Sequence, residues 1–244
     1  GRVIGFLGAK GGVGTTTVVL NIACALARQK KNVIAVELRN DFGTFALHMG
    51  QKPTTDLGSL LEMDPAQITE ETLSNRLFIS PWGFRVLFGP QSVTKWFELG
   101  SAHAQAIIRG LAAISDCTII ELPPQPSAAG EAAIHLCDYI TLVMERDPIS
   151  LHAAKVVLAR ASGPRVGLVI VNRSPLIEPL GVRETAKELG CDLIGVIPPV
   201  ADALVSAQRQ NLPLLLADPE SAASAALTDL AERLAAEKVM PLRV

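Results

Sequence analysis

The chain has 244 residues, 49% hydrophobic and 19% charged, with 22 Lys and Arg against 24 Asp and Glu. It is too apolar to be disordered and has no fibrous periodicity. Its formal net charge of −2 gives no broad nucleic-acid footprint, although a local basic patch stays open.

This length suits one large α/β domain or two small ones, burying roughly 70–75% of the unfolded surface. Cys24, Cys117, Cys137 and Cys191 form no C-x-x-C or Cys/His cluster. Each stands among apolar neighbours, so they read as buried, reduced thiols of a cytoplasmic protein. No apolar run reaches the roughly 18 residues of a bilayer span, and no signal-peptide pattern is present. The chain opens at Gly1, without an initiator Met, and enters a strand pattern at once. The expectation is one domain over residues 1–244, processed or cut from something longer.

Short apolar runs alternate with helical periodicity, which predicts βαβ units and a mostly parallel sheet. Strands are predicted at Val3–Leu7, Asn32–Leu38, Arg85–Phe88, Cys117–Leu122, Tyr139–Met144, Val166–Val171 and Leu193–Ile197. Helices are predicted over 15–28, 101–114, 127–136, 149–161, 181–189, 201–210 and 219–237, with short ones at 44–49, 55–62 and 65–70. No repeat, low-complexity tract or linker interrupts the pattern.

Between the first strand and the first helix runs Gly8-Ala9-Lys10-Gly11-Gly12-Val13-Gly14-Thr15-Thr16-Thr17. Glycines let the backbone approach a phosphate chain and adopt positive φ. Successive N–H groups and the helix N-terminus then form an anion nest, and the first-turn hydroxyls can reach Mg²⁺. The bland alternative is a tight turn that happens to be glycine-rich. Four glycines, a lysine and three threonines within ten residues weigh against it.

This segment resembles the deviant Walker A loop of the ParA/MinD superfamily, KGGVGK(S/T)T. The resemblance makes Lys10 the signature lysine that reaches a partner's nucleotide across a dimer. It makes Gly11, Gly12, Val13 and Gly14 the cradle, Thr16 the magnesium-binding hydroxyl and Thr17 a neighbouring phosphate contact. Thr15 occupies the place of the usual P-loop lysine, and a hydroxyl cannot offset β- and γ-phosphate charge as an ammonium does.

Two more positions depart from the family pattern. The D-x-D expected after the second strand is Glu37-Leu38-Arg39, and arginine has no acceptor with which to act as a general base. Asp41 is a nearby substitute. The Walker B-like run ends Glu121-Leu122-Pro123-Pro124, where the family has D-x-P-P. Glu121 keeps the charge for Mg²⁺ but adds a methylene, and a purely structural role for it is the alternative. Together the three departures imply nucleotide binding with weak or absent hydrolysis and no catalytic residue.

Further along, Asn172 stands where the superfamily sets an Asn against the adenine edge; an ordinary turn is the alternative. Pro198 and Pro199 match the closing IP-x-D element and are expected to wall the base pocket or simply shape a loop. The GGVGTTT variant, Phe42-Gly43 and Asp147-Pro148-x-Ser150-Leu151 look most like the CpaE/TadZ branch of polar pilus-assembly factors.

The resemblance implies a P-loop fold of three α/β/α layers, ATP or ADP with Mg²⁺, and a nucleotide-linked homodimer. Other pilus or secretion assembly proteins would be the partners, recruiting a cytoplasmic protein to the cell pole or the inner-membrane face. A receiver-like domain often precedes such chains. Two other functions compete: a working ParA/MinD partition ATPase, which needs the missing Lys and Asp from elsewhere, and a nucleotide-free interaction module.

His48, His103, His135 and His152 are scattered without inferable partners and read as structural. The Leu227, Leu230, Ala231, Leu234 stripe lacks the basic residues and large aromatics of an interfacial helix, so it reads as core packing. Trp82, Phe84, Trp96 and Phe97 are either a partner surface or filling for the sheet flank.

Overall fold

The computed structural model describes residues 1–123, 125–161, 163–173, 180–236 and 238–242. Pro124 of the Walker B-like run and Glu237 at the expected end of the last helix lie outside the described residues. The strands are β1 (Arg2–Gly8), β2 (Val33–Glu37), β3 (Phe78–Ile79), β4 (Arg85–Leu87), β5 (Cys117–Glu121), β6 (Tyr139–Met144), β7 (Arg165–Val171) and β8 (Asp192–Ile197). They form one sheet in the order β3-β4-β2-β5-β1-β6-β7-β8. All neighbours run parallel except β3 and β4.

Because successive strand residues face opposite sides, one sheet feeds two cores. Ile4 and Phe6 of β1 enter the core covered by α1 (Thr15–Arg28), α2 (Phe45–His48), α9 (Ala201–Arg209), α10 (Leu214–Ala217) and α11 (Ala222–Ala235). Val3 and Leu7 enter the other, covered by α3 (Leu57–Leu61), α4 (Glu70–Ser74), α5 (Ser101–Ala113), α6 (Ala128–Leu136), α7 (Pro148–Leu158) and α8 (Val182–Leu189). Gly5 shares that second face, where a Cβ would fall 2.7–2.8 Å from Leu122, Cys137 and Ile140. A three-layer α/β/α architecture follows.

α1 begins with five β-branched residues, a poor local choice for a helix. Tertiary burial overrides it: Val19, Ile22, Ala23 and Leu26 are fully enclosed against the sheet and α11. Leu227, Leu230 and Leu234 of α11 are fully or almost fully buried there. Each contributes roughly 1.5–3 kcal/mol of apolar burial, so this stripe is core, as its composition indicates. No helix among the described residues is long and apolar enough to cross a membrane.

Three elements escaped the sequence reading. β3 has two residues, too few to show a period. The helix expected over 65–70 is a 3₁₀ turn at Pro65–Gln67 followed by α4, because Thr69 accepts from the Thr72 amide and starts a new helix. α10 has four residues, and a distant side chain holds it: Asn21 of α1 accepts from the Leu215 amide at 3.0 Å. Asn21 also donates to the Thr17 carbonyl at 2.8 Å, which satisfies both ends of a 2% exposed amide. The aromatic cluster divides, with Phe84 buried, Trp82 and Phe97 half-buried and Trp96 on the surface.

β3 ends one side of the sheet after two residues, and on the other the Leu193 carbonyl of β8 accepts from the Leu242 amide at 2.6 Å.

Asn21→Ala leaves the Leu215 amide unpaired in the core. Urea unfolding should show a loss of about 1–3 kcal/mol, whereas Asn21→Asp, which keeps the acceptor, should lose less near neutral pH.

Candidate functional site

The glycine-rich loop turns at the carboxyl end of β1, which is central in the sheet, and delivers the chain to α1. Crevices at the carboxyl ends of parallel strands are where open α/β sheets bind ligands. Gly12 (φ 82°) and Gly14 (φ 95°) lie in the left-handed region that favours glycine. No side chain caps α1, nor α2, α5, α8, α9 and α10, whereas Asp56, Thr69, Ser127, Asp147 and Ser221 cap α3, α4, α6, α7 and α11. A Cβ at Gly11 or Gly12 would meet nothing within 4 Å, so the loop faces open space. That space is a cleft of about 360 Å³ lined by Lys10, Gly11, Gly12, Gly14, Thr15, Thr16 and Thr17. Val13 is the exception in the run, 1% exposed and part of the core.

Two carboxylates stand across from the loop, brought side by side by the β2–β5 register Glu37↔Glu121. They do different work. Glu37 is 1% exposed and accepts from the amides of Thr44 (2.5 Å), Phe45 (3.2 Å) and Gly89 (3.1 Å). It pins three segments together where Gly43 and Gly89 touch: a Cβ at Gly43 would lie 2.8 Å from the Gly89 Cα. Glu121 accepts from the Thr16 hydroxyl at 3.0 Å, and its Oε2 is buried with no partner among the described residues. Burial first, then the neighbouring Glu37 charge, pushes its carboxyl up to about 7.

The Thr16 hydroxyl and the Glu121 carboxylate, one oxygen of which has no partner among the described residues, are hard oxygen donors that fit Mg²⁺. Arg39 pairs with Asp41 at 2.6 Å and reaches Glu37 at 3.5 Å. Asp41 is therefore engaged in an ion pair, and nothing in the geometry makes it a substitute base. His48 lines the same cleft, and burial lowers its imidazole below the ordinary value.

Lys10 contacts Glu145 at 3.1 Å and Asp147 at 3.4 Å within its own chain, and the Glu145 hydrogen bond raises its ammonium. A second, more apolar cleft of about 330 Å³ adjoins the first, sharing Gly14, Thr17, Arg173, Leu204 and Gln208 with it. Val171, Asn172, Ile197, Pro198 and Val200 complete its wall. Two expectations need correction here. Pro198 lines this wall, whereas Pro199 is exposed and does not. The Asn172 side-chain oxygen already accepts from Arg146 at 2.9 and 3.1 Å, because the ends of β6 and β7 lie in parallel register. Asn172 can offer a purine its N–H donors but not the donor–acceptor pair expected. Leu204 and Gln208 of α9, and Arg173, carry no motif that singles them out in the sequence.

Two consequences are measurable. Glu37→Ala strands three amides and should cost at least about 3 kcal/mol in urea unfolding. For Glu121, the folded carboxyl near 7 lies above its ordinary 4.5. Between those pH values the folded protein holds a proton that the unfolded chain has released, so this group's contribution falls as pH rises. Unfolding at pH 5 and pH 8 should show Glu121→Gln gaining on the parent at the higher pH, by on the order of a few kcal/mol.

The family described as cellulose biosynthesis protein BcsQ matches residues 2–234. An uncharacterized ATP-binding protein of Methanocaldococcus jannaschii is 23% identical over 239 residues, covering 96% of this chain and 88% of the relative. A ParA family ATPase from Chlorobium tepidum superposes with a TM-score of 0.82 at 22% identity, over 95% of this chain and 97% of its own. The septum site-determining protein MinD of Pyrococcus horikoshii, complexed with Mg-ADP, gives 0.81 at 21% identity, over 96% and 95%. These two likenesses establish the fold, a parallel-rich sheet between helix layers. With nearly all of its length matched, the chain belongs to the cellulose biosynthesis protein BcsQ family.

Proposed function

We propose that the protein is an ATP-binding localisation or assembly factor of an envelope secretion machine, with weak or absent hydrolysis. One observation carries this reading: the uncapped start of α1 opens into a two-part cleft with the Thr16–Glu121 oxygen pair opposite. The amides from Gly11 to Thr17 would hold the phosphates, and Thr16 and Glu121 would hold Mg²⁺, which offsets phosphate charge when bound. The neighbouring apolar cleft suits a base, with Pro198, Val200 and Leu204 against its faces. The absence of a base at Arg39, and the engagement of Asp41 by that arginine, support slow turnover.

The family description makes cellulose biosynthesis one setting, and the GGVGTTT loop resembles the CpaE/TadZ pilus branch. Both settings call for a cytoplasmic protein recruited to the cell pole or inner-membrane face by its partners. The nucleotide-linked homodimer implied by the superfamily requires Lys10 to exchange Glu145 and Asp147 for the partner's phosphates.

A second reading, the active ATPase, rests on Glu121 itself: a buried carboxyl near 7 is suited to general-base work at neutral pH. Melting and phosphate release separate the two. Under the assembly-factor reading, Mg-ATP raises the melting temperature by several degrees while phosphate release stays near background. Turnover matching a ParA-type enzyme, and lost in Glu121→Gln, would overturn it.

Lys10→Ala should keep most nucleotide affinity but weaken nucleotide-dependent dimerisation by about tenfold or more, read by sedimentation with and without Mg-ATP.

A further inference from the structure

Thr15 leaves the loop without a lysine beside the β- and γ-phosphate positions, and Lys10 is held by Glu145 and Asp147. Backbone amides alone offset only part of a triphosphate's charge. Among the cations lining the cleft, Arg39 is bound to Asp41 and Glu37 on the wall facing the loop. Arg173 is placed differently. It donates through one Nη to the carbonyl of Gly12, and through Nε to Glu145 at 3.0 Å. A Cβ on Gly14 would lie 3.6 Å from that same Nη, so the guanidinium rests against the start of α1. It is also one of the residues shared by the phosphate-side and apolar clefts.

The fold puts it there. Parallel pairing of Met144 with Ile170 brings the tails of β6 and β7 out together above the loop, Glu145 on one and Arg173 on the other. Arg146 emerges beside them but is consumed by Asn172 and the Leu180 carbonyl.

We infer that Arg173 is a phosphate-binding residue acting within its own chain, supplying the positive charge that Thr15 omits. The inference deepens the nucleotide-binding reading and rests on it. Among the described residues, both partners of Arg173 are acceptors, a carboxylate and a carbonyl. A phosphate oxygen is an acceptor with more charge, so the Nη can leave the Gly12 carbonyl for it without losing a bond. Glu145 on Nε keeps the planar fork aimed at the loop during that exchange. The bland competitor is an Arg173 that only shapes the loop by holding Gly12.

Calorimetric titration with Mg-ATP, Mg-ADP and AMP separates the two roles. Arg173→Ala should weaken ATP by about 10–100-fold, ADP less and AMP hardly at all. Arg173→Lys should keep part of the preference for ATP over AMP. Thr15→Lys added to Arg173→Ala should restore ATP affinity, and should gain less in the parent. Arg165→Ala, at the other end of β7 and paired with Asp192, serves as the surface control. Melting without nucleotide checks that each variant is folded. ATP affinity unchanged in Arg173→Ala would overturn the inference, as would equal losses for ATP, ADP and AMP. Failure of Thr15→Lys to restore binding in a folded double variant would do the same. If the parent itself binds no ATP, the nucleotide-binding reading fails first, apart from any role of Arg173.

Discussion

A helix start left without a side-chain cap sets the terms for much of this molecule. Buried backbone donors are almost always paired, and side chains cap α6, α7 and α11 through Ser127, Asp147 and Ser221, whereas α5 and α9 start without one, as α1 does. At α1 the chain passes through two positive-φ glycines, and the loop before the helix faces open space. Three side-chain contacts surround that start. Thr16 ties the first turn to Glu121, Asn21 ties Thr17 to α10, and Arg173 reaches across to Gly12.

The neighbouring charges show how one substitution conditions the next. A Glu at position 37 is long enough to reach the amides of Thr44, Phe45 and Gly89, and it becomes a structural tie buried beside Glu121. Arg39 then serves as counter-ion to Glu37 and Asp41. Seen singly, Glu37 and Arg39 look like two lost catalytic positions. In the fold they are one ion-paired unit, whose negative member helps keep Glu121 near neutrality.

Much of the fold was legible because it rests on period and punctuation. The glycine run, the apolar strands and the α11 stripe each carry a local pattern that burial reproduces, and the parallel sheet follows from their alternation. β3, α4 and α10 were not legible. Two to five residues hold no period, and α10 depends on an amide 194 positions away in sequence. The same division runs through the site. Lys10, Thr16 and Glu121 could be named from motif spacing, and all three line the cleft beside the glycine-rich loop. Arg173, Leu204, Gln208 and the Arg146 hold on Asn172 could not, because strand register rather than nearby sequence decides which side chains share the edge above the loop. Pro198 lines the cleft, whereas the adjoining Pro199 is exposed, a difference that two neighbouring prolines do not show in the sequence.

The two ends of the sheet bear on how copies of the chain can meet. One end stops at the two residues of β3, and at the other Leu242 already occupies a carbonyl of β8. The two-residue β3 edge leaves an incoming strand little ladder to extend.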